Sequence, residues 1–136
     1  MTETAEPRAA AQSWRPDADT GSMVPRSALD VLVDLNDKVT SGHEVAVVDL
    51  NGDGRDDVVA NDNSRVTPQN PGATPGVHVF FAPADPATGE WLYRRIEDKA
   101  AMNSCVSADI NGDRRMDLVC TGAGGVLRWY ENVGKR

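Results

Sequence analysis

Basic charge is scarce in this chain: 14 Lys and Arg face 21 Asp and Glu, leaving a net charge of −7 over 136 residues. Nucleic-acid backbones and anionic membrane surfaces both reward clustered Lys and Arg, so neither is expected as a partner. Long apolar runs are also missing, and with them any expected membrane insertion. The opening stretch MTETAEPR lacks the apolar segment of a secretory signal, so either the chain stays inside the cell or its true start lies elsewhere. Only two histidines occur, His43 and His78. They are isolated from each other and from any Ser or Cys in a nucleophile setting, and both read as structural or surface residues. No G-x-S-x-G, P-loop, C-x-x-C or H-E-x-x-H pattern is present, so catalytic residues are not expected and the chain reads as non-enzymatic. No segment sustains the 3.6-residue period of a long helix. The length suits one modest domain.

What the chain does have is a pair of acidic loops. Asp49-Leu-Asn51-Gly-Asp53-Gly-Arg55-Asp-Asp57 and Asp109-Ile-Asn111-Gly-Asp113-Arg-Arg115-Met-Asp117 begin 60 positions apart. Each places side-chain oxygens at positions 1, 3, 5 and 9, with position 7 offering a main-chain carbonyl. Hard, oxygen-seeking cations require this chemistry, and Ca²⁺ accepts six to eight such ligands in flexible geometry. Mg²⁺ demands a stricter octahedron, and Zn²⁺ would call for Cys or His. The candidate metal ligands are therefore Asp49, Asn51, Asp53, the carbonyl of Arg55 and Asp57, then Asp109, Asn111, Asp113, the carbonyl of Arg115 and Asp117. Two Ca²⁺ ions would offset more than half of the net negative charge. Without a cation, the three carboxylates of each loop should repel one another and leave it poorly ordered.

An EF-hand opens with the same D-x-N-x-D-G, but it needs Glu at position 12, where this chain has Ala60 and Cys120, and flanking helices. Plain hairpin turns rich in Asn-Gly and Asp-Gly would explain one loop. Two loops at a common offset argue for a cation instead. They are not equal: position 6, which favours glycine for its backbone freedom, is Gly54 in the first and Arg114 in the second. The second site is expected to bind more weakly.

Around the loops the pattern is β throughout. Residues 1–27 lack periodicity and read as an irregular, flexible arm. Strands are expected at 29–35, 44–49, 57–60, 76–82, 90–96, 104–109, 117–120 and 125–131, with Pro68, Pro71 and Pro75 interrupting the stretch between the third and fourth. The 60-residue shift lays 29–35 on 89–95. The chain thus divides into the last strand of one unit (28–35), a complete four-stranded unit (44–96) and three strands of another (104–131). Cys105 and Cys120 flank the second loop nearly opposite one another. They suit either a cross-strand disulfide or two buried thiols.

VVDLNGDGRDDVV and SADINGDRRMDLV, with GVHVFFAP and GVLRWYENVG, resemble FG-GAP/VCBS repeats, the blades of integrin-α-like β-propellers, over residues 28–134. The resemblance implies antiparallel four-stranded blades, a Ca²⁺ loop between the first two strands of each, Ca²⁺ as a structural staple, and an extracellular setting. It implies a module that presents a protein- or glycan-recognition surface. Two blades cannot close a ring. The chain is therefore expected to be part of a longer propeller, such as the non-catalytic repeat portion of a secreted enzyme, or to complete one as a homo-oligomer. Trp91, Trp129 and Tyr130 are candidates for stacking on a sugar in a lectin-like assembly, against the plainer reading of packing between blades.

Overall fold

In the computed structural model, residues 38–134 are described, so the arm at 1–27 and the strand expected at 29–35 lie outside the described residues. Seven strands form two antiparallel sheets, with no helix among the described residues. The first sheet runs in sequential order through β1 (Gly42–Val48), β2 (Asp57–Asp62), β3 (Gly76–Phe81) and β4 (Leu92–Glu97). The second runs through β5 (Met102–Ala108), β6 (Asp117–Gly122) and β7 (Val126–Tyr130). The chain is all-β, as its β-branched alternation dictates.

The strand ends differ from the sequence pattern in instructive ways. β4 starts at Leu92 because residues 90–91 remain in the preceding turn, where the Trp91 indole N–H donates to the Pro86 carbonyl at 3.0 Å. β2 runs on through the polar Asn61 and Asp62, which pair with Val77 and Gly76 of β3. Asp62 is fully buried, and its carboxylate gathers the N–H groups of Thr40, Ser41 and Ser64 and the hydroxyls of Ser64 and Thr74. Burial opposes its charge, yet the hydrogen bonds from Ser64, Thr74 and Ser41 outweigh that and hold the carboxyl below its ordinary value. This cluster ties the Pro-rich connection 63–75 back onto the sheet. The matching connection in the second sheet is only 123–125.

The sheets pack face to face. Val48, Val59, Val77 and Val79 of the first meet Met102, Cys105, Leu118 and Cys120 of the second in one buried cluster. Cys105 and Cys120 are direct cross-strand partners and form a disulfide inside this interface. A bridge enclosing a loop of this size is worth about 3 kcal/mol through loss of unfolded-chain entropy. Polar contacts lock the same interface. His43 donates its Nδ1–H to the Asn103 carbonyl at 2.9 Å, and Asn132 donates its amide to the Leu50 carbonyl at 2.7 Å. Glu97, at the end of β4, accepts from Arg128 and Tyr130 on β7, both at 2.6 Å, and from the N–H groups of Lys99 and Ala100.

Candidate metal centre

Each acidic loop joins two adjacent strands, β1 to β2 and β5 to β6, and the two are built to one plan. In the first, Asp49 Oδ1 accepts from the N–H of Gly52 and Asp53, and Oδ2 from Gly54. In the second, Asp109 Oδ1 accepts from Gly112 and Asp113, and Oδ2 from Arg114. The Asn51 and Asn111 carboxamide oxygens both accept the N–H two residues on, at 3.3 Å. Such short side chains bond their own turn backbone by nature, so the sequence folds this way locally. Position 4 takes a left-handed backbone in both loops (Gly52 φ 75°, Gly112 φ 76°), and so does position 6 (Gly54 φ 87°, Arg114 φ 72°). Arg114 is the one non-glycine residue at positive φ among the described residues.

Position 9 serves a different end. Asp57 and Asp117 are fully buried. Asp57 accepts the Leu50 N–H at 2.8 Å on one oxygen and the Ala82 N–H at 2.9 Å on the other. Asp117 does the same with Ile110 at 3.1 Å and Asn132 at 2.7 Å. Each carboxylate thus clamps the start of its loop to the chain leaving the third strand of its sheet. The Asn132 N–H, opposed by burial and aided by the Ile110 N–H, holds the Asp117 carboxyl below its ordinary value.

Position 7 contributes a side chain that the metal pattern did not ask for. Arg55 pairs with Asp53 at 2.8 Å and reaches the Ala82 carbonyl; Arg115 pairs with Asp113 at 2.9 Å and reaches the Asn132 carbonyl. The expected repulsion among carboxylates is therefore offset within each loop by a guanidinium and by turn N–H groups. The same Arg at both seventh positions was the available signal for this role.

The donors fit a hard divalent cation in type and spacing, since every side-chain ligand is oxygen and two of the three candidate carboxylate ligands in each loop lie in the turn rather than buried behind it. They are spread rather than converged: among the described residues no three His, Cys, Asp or Glu side chains form a group that could hold a metal ion. Asp49, Asn51 and Asp53 share one turn, as do Asp109, Asn111 and Asp113, while Asp57 and Asp117 face backbone donors behind it.

Residues 41–73, spanning β1, the first loop, β2 and most of the connection after it, match the family model of the FG-GAP repeat. That segment is similar to an FG-GAP repeat. The second loop, with its identical hydrogen-bond plan, lies outside the matched segment. The two open sheets are consistent with propeller blades of this repeat type, and they do not close a ring among the described residues. No curated protein and no solved structure matches the chain.

The other candidates do not gather into one site. Trp129 and Tyr130 are consecutive on β7 and point to opposite faces, and Trp91 belongs to the turn before β4. His43 is exposed and occupied at the sheet interface, whereas His78 is buried, stacked on Tyr93, and bonded to the Tyr93 hydroxyl and the Thr74 carbonyl, both at 2.8 Å. Burial pushes His78 down from its ordinary value, against the pull of its bond to the Thr74 carbonyl. No helix among the described residues is long and apolar enough to cross a membrane.

Proposed function

We propose that this chain is a non-enzymatic, Ca²⁺-binding β-propeller repeat module that presents a protein- or glycan-recognition surface, with Ca²⁺ acting as a structural staple at both acidic loops. The observation that carries the reading is the duplicated loop plan: two turns 60 positions apart with the same oxygen donors, the same N–H partners and the same left-handed positions. Asp49, Asn51, Asp53 and the Arg55 carbonyl would hold the first ion, with Asp57 closing the site. Asp109, Asn111, Asp113, the Arg115 carbonyl and Asp117 would hold the second. The cation would take over the charge neutralisation now supplied by Arg55 and Arg115, so binding competes with those ion pairs. Exposed pairs of this kind are worth about 1 kcal/mol or less, a modest barrier to exchange.

The Cys105–Cys120 disulfide supports an oxidising, extracellular setting. Titration calorimetry of the full chain with Ca²⁺ tests the reading. Two binding events are expected, the second weaker, with Asp53→Asn weakening the first and Asp113→Asn the second. A chain that takes up no Ca²⁺ in millimolar solution overturns it.

A further inference from the structure

The interface between the two sheets is a template that the rest of the molecule repeats on its bare faces. The face of the first sheet turned toward the second is built from Ala46, Val59, Val77 and Val79. The positions equivalent to these in the second sheet follow from the loop offset for β5 and β6, and from the shared partners of the clamping carboxylates for β7. They are Val106, Val119, Leu127 and Trp129. All four stay apolar, but they lie on the outward face, where Leu127 is 72 % and Val106 61 % exposed and Trp129 is half exposed. The converse holds at the other end. Cys105, Leu118 and Cys120 of the second sheet are buried against the first, and their equivalents Val45, Val58 and Ala60 lie on the first sheet's outward face with Val47, which is 61 % exposed.

Each outward face is therefore apolar at most of the positions where its counterpart is buried, with Thr121 standing where Asn61 is buried. On the first sheet the uncovered part is the β1–β2 side, since His78 and Phe80 of β3 are buried on that face. The two are also of opposite kind: one repeats the donor side of the internal interface and the other the acceptor side. From this we infer that a second copy of the chain docks head to tail, its β1–β2 face around Val45 and Val47 seated on the β6–β7 face around Val106, Leu127 and Trp129. The contact extends the internal sheet-on-sheet interface from one copy into the next. A face packed on a different face is a heterologous contact, which propagates until its rotation closes a ring. Exposed valine, leucine and tryptophan clustered on a sheet surface then have a purpose that a solvated face would not give them. The inference rests on the equivalence of the two sheets and not on the cation reading.

Sedimentation velocity on the full chain tests it. The unmodified chain sediments as dimers or larger species whose share grows with concentration, in Ca²⁺ and in EDTA wherever circular dichroism shows the strands retained. Val47→Asp blocks one face and Leu127→Asp the other, so each variant alone loses the faster species. Mixed in equal amounts they form a 1:1 dimer and nothing larger, because each supplies the face that the other lacks. Should either variant disturb the fold, Val45→Asp or Val106→Asp blocks the same face. A folded unmodified chain that is monomeric at every concentration overturns the proposal. So does a blocked variant that still self-associates, or a folded pair that fails to combine.

Discussion

Arg114 shows how much one backbone angle can cost. Its φ of 72° places an L side chain where the equivalent position of the first loop has Gly54 at 87°. A left-handed conformation costs a non-glycine residue about 1–2 kcal/mol, while glycine gives back about 0.5–1 kcal/mol through its freer unfolded chain. Arg114→Gly should therefore stabilise the fold by up to about 1 kcal/mol. Gly54→Ala should destabilise it by a similar amount, since a Cβ there meets nothing within 4 Å and only the backbone term remains. Urea denaturation of both variants checks the pair of signs, and a destabilised Arg114→Gly would contradict this account of the second loop. The left-handed position was legible, because Gly54 marks it and the repeat offset carries it to Arg114. The roles of Arg55 and Arg115 were marked only by their shared seventh position. A spacing pattern shows which oxygens alternate, but not which side chain folds back across them.

At the scale of the strands, the hydrophobic alternation located every described element, and the offset identified which strands correspond. It lost register after Asp62, where residues 63–75 have no counterpart of equal length, and equivalent positions fall from 60 to 50 residues apart by Ala82 and Asn132. Nothing in the alternation announces a buried Asp62 that folds a Pro-rich connection onto the sheet. Glu97 is a second such residue, linking β4 to β7. Burial works against its charge, but the Tyr130 hydroxyl, the Ala100 and Lys99 N–H groups and Arg128 together lower its carboxyl from 4.5 to about 2. The same contact, with burial first, pushes Tyr130 up to about 12. A depressed folded-state value means that the stabilisation is present above about pH 4.5 and is lost as pH falls toward 2. Acid titration followed by tryptophan fluorescence should show stability declining across that window, with a shallower decline in Glu97→Gln. Equal slopes for both proteins would remove Glu97 from the acid response.

For the whole molecule, architecture and chemistry were unequally visible. Two antiparallel sheets with acidic loops at matching corners follow from the repeated pattern, and residues 41–73 match the FG-GAP repeat. The position-9 aspartates carried a second meaning that spacing could not separate from the first, since a carboxylate that closes a metal shell and one that clamps two strands read alike in sequence. In each loop a guanidinium pairs with one candidate ligand carboxylate and N–H groups bind the other two, so a bound cation would add to a fold that these groups already hold together. A ligand bound by the folded state alone, at about a hundredfold over its Kd, stabilises by about 2.7 kcal/mol. For a chain of 136 residues, each kcal/mol raises the melting temperature by about 4 °C. Thermal melting of the full chain with and without EDTA, followed by Ca²⁺ or Mg²⁺ add-back, therefore reads out Ca²⁺ binding to the folded chain. A fall of several degrees on chelation is expected, restored by Ca²⁺ and much less by Mg²⁺; an unchanged melting temperature would rule out Ca²⁺ as a structural staple.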